Sequence, residues 1–359
     1  MNIFVYQNMN KELIEACKAG DIDKVLHLVE KGADVHANND EVLRLASGNG
    51  HLDVVKFLVE KGADIHANND YAFHMASCIG RLEVVKFLVD KGADIHTLDD
   101  SPLRIASLNG HLEVVKFLIE KGANIHAESD DSLGQASLNG HLEVAKFLIE
   151  KGADVHAKNN FAFRGASYNG HLDVVKFLIE KGADVHANND VSLHWASKRG
   201  HLKVIKFLIE KGADIHADND ASLRWASLNG HLDVVKFLVE KGADIHAESD
   251  DSLGQASENG HLDVAKFLIE KGADTSVLSV KRKLELNIPI IWSKKPDDLP
   301  PFRELTECPI TKIKFDDSVF KLGCLICLNV FEQTALEEWL KTGNDKCPMC
   351  RTGVKFYLV

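Results

Sequence analysis

Apolar residues return in the same order every 30 residues between residues 11 and 276 of this chain. One row of glycines marks the step at Gly20, Gly50, Gly80, Gly110, Gly140, Gly170, Gly200, Gly230 and Gly260, and a second runs from Gly32 to Gly272 with the same spacing. A representative repeat, Glu41 to Asp70, reads EVLRLASGNG HLDVVKFLVE KGADIHANND. Leu52, Val55, Leu58 and Val59 stand at helical spacing and predict a helix over Leu52–Lys61, with Val54 and Phe57 widening its apolar surface. The run Val42–Asn49 predicts a shorter helix before it. Gly62 follows the last helical residue, where a left-handed cap suits a residue without Cβ, and Gly50 suits the tight turn between the helices. Ala63–Asp70 then reads as a connecting turn or loop. A lone helix pair cannot cover its apolar face, so neighbouring repeats must stack. The expected organisation is an N-terminal tail at 1–10, nine stacked repeats over 11–276, a proline-bearing linker at 277–303 and a separate region at 304–359.

The stretch LRLASGNGHLDVVKFLVEKGADIHA resembles the ankyrin repeat, and the likeness recurs nine times. That resemblance implies an all-α repeat solenoid of helix pairs that binds a protein on the concave face made by first helices and hairpins. The repeats are 30 residues long, where about 33 is usual, and lack the Thr-Pro pair before the first helix, so a shorter hairpin is expected. Repeats of this style are similar to those of ankyrin proteins abundant in giant DNA viruses, which would place the chain inside a host cell.

A longer period lies above the short one. The fourth position of successive repeats carries Arg44, His74, Arg104 and Gly134, then Arg164, His194, Arg224 and Gly254. Ala127–Asp154 differs from Ala247–Asp274 at two positions only, so a block of four repeats was copied whole. Copying favours a binding scaffold over a catalytic site. Residues that break the repeat are the candidates for contact with a partner: Tyr71, Cys78, Ile79, Phe161, Tyr168, Lys198 and Arg199. Aromatic and arginine side chains are the commonest energetic anchors of interfaces. Trp195 and Trp225 are read instead as filling space between repeats. Two histidine rows, from His36 to His246 and from His51 to His261, place neighbours a whole repeat apart. Zinc bonds of about 2 Å cannot span that step, so these rows are assigned to hydrogen bonding.

The tail of the chain changes character. ECPITKIKFDDSVFKLGCLICLNVFEQTALEEWLKTGNDKCPMCRTG resembles the RING and U-box family in its order of parts: Cys308-Pro309-Ile310 at the opening, Phe331 to Trp339 in the middle, Cys347-Pro348-Met349-Cys350-Arg351 at the close. The resemblance implies a small α+β module that docks a ubiquitin-conjugating enzyme through Ile310, Trp339 and Pro348, with Arg351 as the stabilising cation. Thr311, Asn329, Glu332 and Ala335 stand where further ligands would be expected, so the first zinc site of a RING is absent. Cys324-x-x-Cys327 and Cys347-x-x-Cys350, separated by 19 residues, have the spacing of tetrahedral thiolate coordination and suggest one structural zinc. The alternatives are a U-box held by hydrogen bonds without zinc, or buried free cysteines. Two functions follow: the substrate-recognition part of an E3 ubiquitin ligase, transferring without a covalent intermediate, or a pure interaction scaffold whose last module is structural only.

Composition narrows this further. Acidic residues outnumber basic ones 54 to 42, for a net charge of -12, which argues against a nucleic-acid-binding surface spread over the molecule. No run approaches the ~20 apolar residues of a membrane helix, and no secretory signal is recognisable, so neither membrane nor export is expected. Five of the seven cysteines fall between Cys308 and Cys350, which points to metal or thiol chemistry in a reducing compartment, cytoplasm or nucleus. Lys281, Arg282 and Lys283 are a candidate nuclear-localisation triplet or an ordinary solvated turn. No phosphate loop, serine nucleophile elbow or paired metalloprotease histidines occur, so no other enzyme class is expected.

Overall fold

The apolar spacing of each repeat demands two helices with one shared buried face, and that is what the backbone forms. The structure is a computed structural model. It describes residues 3–279, positions 282, 283 and 286, and the backbone of four short strands at 293–294, 321–324, 330–332 and 356–358. Helix pairs in chain order are α1 (Ile3–Ala19) with α2 (Ile22–Glu30), α3 (Ala37–Asn49) with α4 (Leu52–Glu60), α5 (Ala67–Ile79) with α6 (Leu82–Asp90) and α7 (Thr97–Leu108) with α8 (Leu112–Glu120). Then come α9 (Asp131–Leu138) with α10 (Leu142–Glu150), α11 (Ala157–Asn169) with α12 (Leu172–Glu180), and α13 (Ala187–Arg199) with α14 (Leu202–Glu210). The last two pairs are α15 (Ala217–Leu228) with α16 (Leu232–Glu240) and α17 (Ala247–Glu258) with α18 (Leu262–Glu270). Two compact bodies result, Met1–Ala217 and Asp218–Val359. Helix α1 begins inside the segment expected as a tail, and Asn10 within it makes the first link described below.

Leu43, Ala46, Val54, Val55 and Leu58 of one repeat are fully buried, and their equivalents are buried in each repeat that follows within a body. Full burial of each such Val or Leu contributes about 1.5–3 kcal/mol. Phe57 is only half-buried, and the Lys61 ammonium lies 5.5 Å from its ring one helical turn on. Gly50 closes the first helix in the left-handed conformation, and the equivalent Gly170 does so at φ 79°.

The segment expected as a connecting turn or loop is a turn, with no hairpin strands among the described residues of the repeats. Three successive residues take left-handed backbone: Asn68 at φ 53°, Asn69 at 59° and Asp70 at 57°. Every non-glycine residue with positive φ among the described residues sits in this turn of some repeat. Such residues cost roughly 1–2 kcal/mol each, less for Asn and Asp. The strain is therefore confined to one place, and a buried carboxylate holds that place. Asp40 Oδ1 accepts the backbone N–H of Asp64 in the next repeat at 2.8 Å and faces His36 Nδ1 at 3.2 Å. Asp100 accepts from Asn124 at 2.7 Å with His96 at 3.1 Å, and Asp190 from Asp214 at 3.0 Å with His186 at 3.2 Å. In the second body Asp220 accepts from Asp244 at 2.8 Å and Asp250 from Asp274 at 2.8 Å. Asn160 replaces the carboxylate once, accepting from Asp184 at 3.0 Å, and Asn10 opens the series by accepting from Asp34 at 2.9 Å.

Leu98 sits in this turn at φ 49° with its side chain 55% exposed, where Asn38, Asn68 and Asn188 stand in other repeats. Leu98→Asn is expected to stabilise the first body by about 1 kcal/mol by relieving backbone strain. A raised urea midpoint at unchanged slope is the measurement.

The four strands are β1 (Ser293–Lys294), β2 (Lys321–Cys324), β3 (Val330–Glu332) and β4 (Phe356–Leu358), ordered β1-β4-β2-β3. β4 pairs parallel with β1 and antiparallel with β2, and β2 pairs antiparallel with β3.

Candidate protein-interaction face

Second helices scarcely change from repeat to repeat, whereas first helices change at the positions of Glu41, Arg44, Leu45, Gly48 and Asn49. These are spaced i, i+3, i+4, i+7 and i+8, a single stripe along the helix. The intervening positions, Val42, Leu43, Ala46 and Ser47, are buried in the stack. Sequence change is thus concentrated on one surface, with lesser exchanges at the buried position of Val42 (Ala72, Pro102, Ser132) and the turn position of Asn38 (Leu98, Glu128, Lys158).

Along the first body this stripe is built of cations and rings. The Tyr71 ring, 39% exposed, lies 5.8 Å from the Arg44 guanidinium and stacks on His74 at 5.8 Å. Ile79 is 42% exposed, whereas Cys78 is half-buried and takes a weak hydrogen bond from Asn109 at 3.7 Å. Arg104 reaches Asp131 at 3.4 Å. Phe161 lies half-buried on Gly134, where an added Cβ would stand 2.5 Å from its ring, so its first role is to fill the space that glycine leaves. Tyr168 and Trp195 meet edge to face at 5.7 Å, and Arg199 lies 5.0 Å from the Tyr168 ring.

In the second body Arg224, Trp225, Leu228, Asp251 and Gln255 line a pocket of about 150 Å³. Trp225, expected as packing, is 37% exposed at its edge. The helix pair alone cannot cover a side chain placed on the outward stripe, which is the signal that position in the repeat could have supplied. Trp195, given the same expectation, is half-buried against Tyr168 and shares that stripe.

The family model described as Ankyrin repeats (3 copies) matches residues 13–99, 73–159, 163–249 and 219–279. The chain belongs to the ankyrin repeat family. No curated protein matches it. For an ankyrin array the stripe just described is the surface with sequence information, and the histidine rows are part of the frame beneath it. His111, His141 and His201 donate from Nε2 to the carbonyl oxygens of Cys78, Leu108 and Tyr168, each at 2.9 Å. In the other row His36, His66, His96, His126, His186 and His246 pair with the buried Asp of their own repeat, and the repeat of His156 carries Asn160 there. Among the described residues no three His, Cys, Asp or Glu side chains come together to hold a metal ion. No described helix is long and apolar enough to cross a membrane.

Two buried groups in the ankyrin frame have altered acidity. Burial pushes the Cys17 thiol up to about 12, so it is an inert core residue. Burial, and secondarily the Arg104 charge, lower the pKa of His74, whose Nε2 meets the Ser101 hydroxyl at 2.9 Å. The folded state therefore binds this proton less readily than the unfolded chain. Stability linked to neutral His74 is complete above pH 6.5 and is lost as the pH falls below it. His74→Gln should shrink the fall in urea midpoint between about pH 7.5 and about pH 5.5.

Ile310, Trp339, Pro348 and Arg351, and the cysteines Cys327, Cys347 and Cys350, lie outside the described residues. Cys324 is placed by its backbone alone, at the end of β2.

Proposed function

We propose that this ankyrin chain is an interaction scaffold that selects its protein partner through the first-helix stripe. The observation that supports this most is the concentration of sequence change on that outward stripe while the second helices are copied almost unaltered. A surface free to vary over a fixed support is what partner choice requires. Immobilised full chain should retain a distinct set of proteins from a cell extract, and Tyr71→Ala and Trp225→Ala should each weaken retention of some by about tenfold or more. Lys116→Ala, on a second helix, should not. Equal retention by all three variants would overturn the reading.

A second reading adds ubiquitin transfer. The order of Ile310, Trp339, Pro348 and Arg351 within the RING and U-box-like segment supports docking of a conjugating enzyme, making the scaffold the substrate-recognition part of a ligase. The donor set Cys324, Cys327, Cys347 and Cys350 suits one structural zinc, which would serve folding rather than catalysis. Such a ligase acts by holding a reactive thioester in a favourable geometry. Autoubiquitination by the purified chain across a panel of conjugating enzymes, lost in Ile310→Ala and in Arg351→Ala, is the expected result. Folded protein inactive with every conjugating enzyme would leave the scaffold alone. The cysteine usage supports residence in the cytoplasm or nucleus, in a host cell if the protein is viral.

A further inference from the structure

We infer that the part of the stripe formed by Arg164, Tyr168, Trp195, Lys198 and Arg199 is a docking site for an acidic, carboxylate-rich segment of a partner protein. This rests on the scaffold reading and adds where on the stripe binding occurs and what chemistry it takes.

Comparing the copied block with its original shows where the second copy departed. Glu41, Gly48, Met75, Cys78 and Ile79 in the first copy correspond to Phe161, Tyr168, Trp195, Lys198 and Arg199 in the second. Glu41 and Arg44 cancel in the first copy, whereas no acidic residue occurs within 161–169 or 191–199. Two adjacent first helices have therefore turned basic and aromatic in a chain of net charge -12.

The arginines of the stripe make the gap explicit. Arg44 pairs with Glu41 at 2.8 Å, Arg104 with Asp131 at 3.4 Å and Arg224 with Asp251 at 3.8 Å. At Arg164 the two positions that supply those carboxylates hold Phe161 and Val191. Its Nε and Nη2 are held by the carbonyl oxygens of Asn159 at 2.9 Å and Lys158 at 3.0 Å, and the guanidinium lies 5.5 Å from the Trp195 ring. Among the described residues nothing bonds to Nη1. A fixed guanidinium with its Nη1 amino group free beside an indole presents a geometry that an incoming carboxylate completes, in a partly desolvated setting where the bond is stronger. Arg199, stacked on Tyr168, offers a second cation of the same kind.

The next helix breaks a local rule in the same direction. Each of α2, α4, α6, α8, α10, α12, α16 and α18 carries an acidic residue in its first turn, and α14 carries Lys203 instead. A cation there opposes the helix dipole. It adds positive potential next to Arg199 in the sequence at the expense of the helix that bears it.

Fluorescence anisotropy with the full chain tests this, using a labelled peptide of alternating Glu and Gly, a Gln and Gly peptide of equal length, and single-stranded oligothymidine. The acidic peptide should bind, the Gln peptide should not, and affinity should fall by about tenfold between about 0.05 M and about 0.3 M salt. Arg164→Met and Arg199→Gln should each weaken binding by about fivefold or more, and Lys86→Met, on second helix α6, should leave it unchanged. Lys203→Glu should weaken peptide binding by about twofold while raising the urea midpoint, a combination that damage to the fold cannot produce. Absence of acidic-peptide binding, full affinity in Arg164→Met, or oligothymidine binding as tight as the peptide would each overturn the proposal. If the peptide fails but Trp225→Ala still releases proteins captured from extract, the scaffold reading stands and only the acidic specificity falls.

Discussion

Gly170→Ala should cost the first body about 3–4 kcal/mol, more than most single-atom additions to a surface turn. Two causes add. Gly170 has φ +79°, where any Cβ is strained, and that Cβ would stand 2.6 Å from Nδ1 of His201. To escape it the ring must leave the Tyr168 carbonyl oxygen, to which Nε2 now donates at 2.9 Å. The strain contributes roughly 1–2 kcal/mol and the lost hydrogen bond and displaced ring the rest. Gly182→Ala separates the two causes. Gly182 has φ +97° but nothing within 4 Å of an added Cβ, so only the backbone term of about 1–2 kcal/mol should appear. Urea titration of both variants, followed by circular dichroism, is the measurement. Equal losses would show that the histidine does not lock the turn.

Asp100→Ala should destabilise the first body by about 3 kcal/mol, because it leaves the N–H of Asn124 without its acceptor and three left-handed residues without their anchor. Asp100 is 5% exposed and its Oδ1 lies 2.7 Å from that nitrogen. Asp100→Asn keeps an acceptor oxygen, as Asn160 does toward Asp184 at 3.0 Å, and should cost under about 1 kcal/mol. Hydrogen exchange should show the loss concentrated around the third and fourth repeats, since repeat arrays open locally. A loss in Asp100→Asn as large as in Asp100→Ala would mean that the carboxylate contact with His96 matters more than the link between repeats.

Much of this was readable before the structure. Glycines at a fixed step and Leu52, Val55 and Leu58 at helical spacing determine helix pairs that must stack, because periodic apolar residues leave no other way to bury their surface. The copied block was equally visible. What the repeat pattern concealed was the work of its polar residues. Each of His66, Asn68, Asn69 and Asp70 reads in sequence as an ordinary loop residue, whereas Asp70 is a buried link to Asp94 in the next repeat. That link exists only once two repeats are stacked, so no single repeat can reveal it. The same reason governs the candidate face. Trp195 and Trp225 occupy one position of the repeat, and sequence alone read both as filling space between repeats. Trp195 does so, meeting Tyr168 of the preceding repeat edge to face, whereas Trp225 is 37% exposed and lines a pocket on the outward stripe. Likewise the presence of Arg164 was legible, but its lack of a carboxylate partner was not, since the partners of its sister arginines come from two different positions, one of them in the following repeat. The sequence by itself determined the helices, their number and their need to stack, because those follow from local apolar spacing. Only the tertiary structure decided which polar residues became links and which cations were left for a partner, because those roles depend on neighbours about 30 residues away in the chain.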